Sequence, residues 1–125
     1  MKKIILDTNF LTIPYQFSID IFDKIKDLVR GEHEILVLDG TVRELKILSN
    51  KKGRKSLAAR VGLELIEKED LKVVKTDDGN VDDEIVDLSG EETIVATNDK
   101  ELIKRLKHKN VKIIYLRGRN RLEMM

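Results

Sequence analysis

Ile4-Ile5-Leu6-Asp7-Thr8-Asn9 opens the chain with three consecutive apolar residues that stop abruptly at an acid. So short and continuous an apolar run is what a strand buried on both faces requires, as in a parallel sheet. Ile35-Leu36-Val37-Leu38 reads as a second buried strand, Leu71-Lys72-Val73-Val74 as a third short strand, Thr93-Ile94-Val95-Ala96-Thr97 as a fourth, and Val111 to Leu116 as the strand that closes the sheet. Between these runs the apolar spacing turns helical. Phe22, Ile25, Leu28 and Val29 follow a candidate cap at Asp20. Helices are expected from Thr41 and from Ser56, the latter with Leu57, Val61 and Leu65 on one face. A turn at Asp77-Asp78-Gly79-Asn80 precedes a helix carrying Val81, Ile85 and Leu88, and a last helix carries Leu102, Ile103 and Leu106. Pro14, the only proline, should break or restart any helix begun at Thr8. Strands alternating with helices imply a mostly parallel sheet covered on both faces, a three-layer α/β/α domain.

Composition narrows the chemistry. With 125 residues the chain has room for one domain, expected over 1–125, with residues 117–125 a flexible basic tail. The absence of cysteine excludes disulfides and cysteine-ligated zinc or iron–sulfur centres, and two histidines are too few for a histidine-rich metal site. No apolar run reaches the roughly 20 residues of a membrane span, and the N-terminus meets Asp7 too early for a signal peptide, so a cytoplasmic protein without membrane contact is expected.

The net charge of +1 conceals strong segregation. Lys46, Lys51, Lys52, Arg54, Lys55 and Arg60 fall in a segment with no acid. Residues 61–99 hold 13 acids against three bases, and residues 100–125 hold nine bases against two acids. Basic segments on either side of an acidic one could hold a polyanion while the acids gather divalent cations.

In open parallel sheets, ligands bind beyond the carboxyl ends of the strands. Acids stand at those positions here: Asp7 after the first strand, Glu44 one helical turn beyond the second, Asp82 and Asp83 after the third, Asp99 after the fourth. Singly, several have local explanations. Thr41 and Glu44 make a T-x-x-E capping box, Asp99 an N-cap, and Asp82 and Asp83 could complement a helix dipole. Jointly, two carboxylates about 4 Å apart repel by roughly 4 kcal/mol at an effective dielectric near 20, which a bound cation relieves. Hard oxygen donors suit Mg²⁺ or Mn²⁺, and a carboxylate-held ion of that kind commonly acts on phosphates.

Asp7-Thr8-Asn9, Glu44, Asp82 and Thr97-Asn98-Asp99, in that order along nearly the whole chain, resemble the PIN-domain nucleases. Leu6-Asp7-Thr8-Asn9-Phe10-Leu11 and Asp82-Asp83-Glu84-Ile85-Val86 resemble an archaeal branch close to the ribosomal-RNA-processing PIN proteins, which also resembles the VapC toxins in its catalytic core. The resemblance implies an endoribonuclease that hydrolyses RNA phosphodiester bonds with Mg²⁺ or Mn²⁺ and metal-activated water. It implies Asp7, Glu44, Asp82 and Asp99 as the acidic quartet, with Asp83 an alternative metal ligand beside Asp82. Asn9 is implied to support Asp7, and Thr97 and Asn98 to position Asp99. A homodimer is implied too, to which Phe10-Leu11-Thr12-Ile13-Pro14-Tyr15 would add apolar surface unless it is core, along with an antitoxin or ribosome-assembly partner.

Lys51, Lys52, Arg54 and Lys55, with Arg117, Arg119 and Arg121, are the expected RNA phosphate contacts; with few aromatics nearby, they favour backbone binding over base stacking. Two other readings compete. One is a non-catalytic RNA-binding or assembly factor with a vestigial acidic site. The other is a haloacid-dehalogenase-type phosphatase, which wants D-x-D after the first strand where this chain has Asn9.

Overall fold

The computed structural model describes residues 1–77 and 79–125, so the turn expected at Asp77-Asp78-Gly79-Asn80 contains one residue, Asp78, outside the described residues. The strands are β1 (Lys2–Leu6), β2 (His33–Leu38), β3 (Lys72–Val74), β4 (Thr93–Ala96), β5 (Lys112–Arg117) and β6 (Arg121–Met124). The helices are a 3-10 turn (Asn9–Thr12), α1 (Ile13–Phe17), α2 (Ile21–Leu28), α3 (Asp39–Ser49), α4 (Arg54–Lys68), α5 (Val81–Leu88) and α6 (Lys100–His108). Pro14 falls in the first turn of α1, where its missing N–H costs nothing, so the helix restarts there.

The sheet order is β3-β2-β1-β4-β5-β6, parallel except for the antiparallel pair β5–β6. β1 occupies the middle because it is apolar toward both faces. Ile4 and Leu6 join a layer that includes Ile21 and Ile25 of α2, Leu45 of α3 and Ala59 of α4. Ile5 joins Leu36, Leu38 and Val95 against Ile85 of α5 and Leu102 and Leu106 of α6. Each such Ile, Leu or Val side chain, fully buried, contributes about 1.5–3 kcal/mol. The result is the expected three-layer α/β/α arrangement. Among the described residues no helix is long and apolar enough to cross a membrane.

Two local expectations are corrected, and one left open is decided. The buried face of α4 is Ser56, Ala58, Ala59, Gly62 and Ile66, while Leu57 is exposed. Small residues win that face because α4 packs against both α3 and the 3-10 turn. A β-carbon on Gly62 would lie 2.9 Å from the Leu11 carbonyl oxygen. The segment Phe10 to Tyr15 is mostly core, the second of its two readings: Phe10, Leu11 and Ile13 are buried, Thr12 and Pro14 half-buried, and Tyr15 exposed. Finally, the tail expected to be flexible is a strand over Arg121–Met124, with Leu122 buried and Glu123 drawing in Arg117 and Arg121. Alternation decides this: Leu122 and Met124 turn to the core, and Arg121 and Glu123 turn out.

Gly62→Ala is expected to lose about 1–3 kcal/mol of stability, because backbone on the other side of the contact cannot give way. Gly90→Ala, which meets open space, serves as the control. Urea melts that leave both variants equally stable would contradict the close approach of α4.

Candidate functional site

The chain leaves β1 for β2 and β3 on one side, then returns to β4 on the other. Strand order therefore reverses between β1 and β4, and a crevice opens beyond their carboxyl ends. A cavity of about 430 Å³ lies there, lined by Asp7, Thr8, Asn9, Glu44, Ile47, Leu48, Asp82 and Asp99. A second cavity, about 370 Å³, opens near the amino ends of β2 and β3, where its acids are interleaved with Lys26 and Lys72. Only the first gathers carboxylates from four separate connections.

Asp7 is 4% exposed, and both its oxygens are held. Oδ1 accepts from the Thr8 amide at 2.8 Å and Oδ2 from the Thr97 hydroxyl at 2.7 Å. The Thr97 hydroxyl in turn accepts from the Asp99 amide at 3.0 Å, so one buried side chain fixes the acid after β1 and the start of the segment after β4. Asp99 caps α6, accepting from the Glu101 and Leu102 amides, and also lines the cavity, so serving as the cap does not take it out of the site. Asn98 does something else. It exchanges two hydrogen bonds with the Leu116 backbone, extending the pairing to β5 instead of positioning Asp99.

The capping box at Thr41 and Glu44 does not form. α3 begins at Asp39, two residues early, which puts Thr41 inside the helix with its hydroxyl buried and unpartnered. Glu44 is free to reach across to the Thr8 hydroxyl at 2.5 Å. Thr8 thus emerges as a site residue that the sequence displayed only as the middle of Asp7-Thr8-Asn9. Asn9 lines the cavity, but among the described residues no side-chain hydrogen bond joins it to Asp7, which takes its bonds from Thr8 and Thr97.

Helical rotation separates Asp82 from Asp83. Both lie in the first turn of α5, capped by Asn80, and successive residues on a helix point about 100° apart. Asp82 faces the cavity, whereas Asp83 is 61% exposed and pairs with Arg105 at 2.8 Å. Asp83 therefore does not line the site as the alternative ligand it was expected to be.

The basic residues divide as well. Lys51, Lys52, Arg54 and Lys55 are exposed where α3 passes into α4, immediately after the turn whose Ile47 and Leu48 line the cavity. Arg117 and Arg121 are instead paired with Glu123, whose carboxyl they pull down to about 2, and Arg119 lies over the Phe17 ring.

Burial pushes the Asp7 carboxyl up from 3.8 to about 6; the Thr97 and Thr8 hydrogen bonds oppose the rise, and the charges of Asp82 and Asp99 add to it. Asp82 is raised too, first by burial and then by Asp99 and Glu44. A divalent cation suits such a site chemically. Every donor is a hard oxygen, each Asp7 oxygen keeps a lone pair beyond its one hydrogen bond, and among the described residues the one positive charge felt at Asp82 is that of Arg105, which is itself paired with Asp83. Among the described residues no three acids or histidines stand at metal-ligand spacing, so the carboxylates would have to draw closer to share an ion.

The unfolded chain releases the Asp7 proton near 3.8 and the folded chain near 6. This contribution is therefore fully present below 3.8 and lost as pH rises through about 6, leaving ionised Asp7 costing about 3 kcal/mol at pH 7. Without divalent cations, Asp7→Asn should be about 1–2 kcal/mol more stable than the parent at pH 7, part of the gain being offset by a poorer bond to Thr97. The advantage should vanish toward pH 4. Denaturant melts across that range would show no such convergence if Asp7 carried no buried charge.

The sequence family described as "PIN like domain" matches residues 4–119. Ribonuclease VapC4 of Methanocaldococcus jannaschii is 32% identical over 129 residues, covering 99% of this chain and 97% of that protein. Ribonuclease VapC9 of Archaeoglobus fulgidus is 29% identical, covering 90% and 82%. In fold, the chain superposes on the PIN domain endonuclease Utp24 with a TM-score of 0.78 at 24% identity, over 98% of this chain and 90% of that one. It also superposes on a domain of a functionally unknown protein from Methanocaldococcus jannaschii, with a TM-score of 0.60 at 18% identity, over 94% and 93%. The haloacid-dehalogenase reading falls with these matches. A switch-point crevice lined by acids from four connections, in a chain matched almost end to end, places this protein in the PIN-like domain family.

Proposed function

We propose that the protein is a divalent-cation-dependent endoribonuclease. The observation that carries this reading is the meeting of Asp7, Glu44, Asp82 and Asp99, from four separate connections, in one cavity at the switch point. The full-length similarity to ribonucleases supports RNA as the substrate. It favours a VapC-like, toxin-like role over an rRNA-processing one, because the likeness to Utp24 is one of fold.

Asp7, Glu44, Asp82 and Asp99 would hold Mg²⁺ or Mn²⁺, which supplies Lewis acidity: it neutralises phosphate charge and lowers the pKa of water. The remaining work falls to the chain. Thr97 fixes the direction of Asp7 and Thr8 that of Glu44, so neither carboxylate has to be ordered when the ion and substrate arrive. Below about pH 6 Asp7 keeps its proton, with which a cation must compete. Lys51, Lys52, Arg54 and Lys55 contact the RNA backbone at the rim, while Arg117, Arg119 and Arg121 are exposed but already have partners in Glu123 and Phe17. A homodimer and an antitoxin or ribosome-assembly partner belong to the same proposal. The exposed Tyr15, Ile47 and Leu57 are apolar side chains available to such contacts, and light scattering with and without a co-expressed partner decides between them.

An RNA oligonucleotide incubated with Mn²⁺, Mg²⁺ or chelator, alongside calorimetric Mn²⁺ titration, tests the activity. Asp82→Asn should lose several kcal/mol of transition-state stabilisation, about 10²–10³-fold in rate. Asp83→Asn should change the rate by less than about threefold, since exposed ion pairs contribute little. Mn²⁺ binding without cleavage would favour the non-catalytic RNA-binding factor, and equal loss in both variants would contradict the site as drawn.

Changing Lys51, Lys52, Arg54 and Lys55 together to Ala should weaken RNA binding alike for all sequences and leave Mn²⁺ affinity intact. The log–log salt dependence should flatten by roughly 2–3 units, about 0.7 per lost contact on a single strand. An unchanged slope would reduce the loop to solvated surface.

A further inference from the structure

Asp39 is the acid directly after β2, the position that Asp7 holds after β1, yet it does not line the cavity. Its carboxylate is committed elsewhere. Oδ1 accepts from the Thr76 hydroxyl at 2.7 Å, the Thr76 amide at 3.3 Å and the Gly40 amide at 2.9 Å. Oδ2 pairs with Arg43 at 3.5 Å. Thr76 lies on the path from β3 to α5, so these bonds tie that path to the start of α3 across 37 residues of sequence. The Thr76 hydroxyl is also the main influence holding the Asp39 carboxyl below the usual carboxylate range.

A second contact lies beside the first. Gly40 is buried, and a β-carbon built on it would stand 2.8 Å from Cγ2 of Val81, the first residue of α5. The two helix starts meet there, and a methyl group on Gly40 would have to push the Val81 side chain aside. Glu44 lies one helical turn along α3 from Gly40, and Asp82 follows Val81 in α5. Both acids line the cavity, and the charge of Glu44 is felt at Asp82.

We propose that Asp39, Gly40 and Thr76 are positioning residues that clamp the start of α5 to the start of α3 and thereby set the separation of Glu44 and Asp82. This rests on the reading of the cavity as a cation site. The clamp touches neither cation nor RNA. Its effect is to hold two repelling carboxylates, carried on separate helices, at a fixed distance without relying on either acid's own bonds. Thr8 performs the corresponding task for Glu44, and Asn80 caps α5 locally, but neither joins the two helices.

The test uses four variants of the whole protein and two readouts: calorimetric Mn²⁺ affinity, and amide hydrogen exchange at Asp82, Asp83 and Glu84 without metal. Thr76→Val deletes the hydroxyl at constant shape, and Thr76→Ser keeps it. Gly40→Ala drives a methyl into Val81, and Gly40→Ala with Val81→Ala makes room for it. Thr76→Val and Gly40→Ala should each weaken Mn²⁺ affinity about tenfold, the lower end for a supporting residue. Each should also speed exchange at the three amides, with Leu102 and Ile103 of α6 unaffected. Thr76→Ser and the double variant should recover most of both losses. Unchanged exchange in Thr76→Val and Gly40→Ala overturns the clamp, as does faster exchange with unchanged Mn²⁺ affinity. If the parent protein binds no Mn²⁺, the function proposed for the cavity fails, and exchange alone then decides whether the clamp exists.

Discussion

Asp7 is a carboxylate buried at the end of the central strand, and its place there depends on β1 having β2 on one side and β4 on the other. A charge so placed needs partners. Local structure supplies one, the Thr8 amide, and the neighbouring strand end supplies the other, the Thr97 hydroxyl 90 residues away. Because Thr97 also receives the Asp99 amide, satisfying Asp7 fixes where α6 begins. The apolar layers on both faces of the sheet make this rigid, since neither Ile4 and Leu6 on one side nor Ile5 on the other leaves room for β1 to slide. The site is thus a consequence of sheet order before it is a consequence of any motif.

Around that anchor several residues serve the fold and the site at once. Asp99 caps α6 and lines the cavity. Asn80 caps α5 and so sets the phase that turns Asp82 inward and Asp83 outward to Arg105. Asp39, by contrast, is an acid at a strand end that takes no part in the cavity and binds Thr76. A carboxylate beyond a parallel strand is therefore only a candidate. Whether it faces a ligand depends on which donors reach it first, and Asp39 has three hydrogen-bond donors and the Arg43 guanidinium waiting.

Much of this was open to reading along the chain. The buried strands, the caps at Asp20 and Asp99, the restart at Pro14 and the acids at strand ends all rest on interactions within a few residues. The misreadings share a cause. Leu57, Val61 and Leu65 share a helical face, but contact with α3 and the 3-10 turn selected the small residues of α4 instead. Arg121 to Met124 alternates as a strand should, and its charge masked the alternation until Leu122 and Met124 found the core.

The sequence by itself determined the strand–helix alternation, the three-layer class and the set of acids from which a site could be built, because periodicity and capping are short-range physics. Tertiary structure decided which of those acids meet. Adjacent helix positions differ by about 100°, so choosing Asp82 over Asp83 needs the phase of α5 against the sheet. Glu44 is released from a capping role only because α3 starts at Asp39, and it is aimed only by Thr8, 36 residues earlier. Asn98 prefers the Leu116 backbone because β5 lies beside it. Each choice is a competition among partners brought together from distant parts of the chain, and its outcome becomes visible only when the chain is folded.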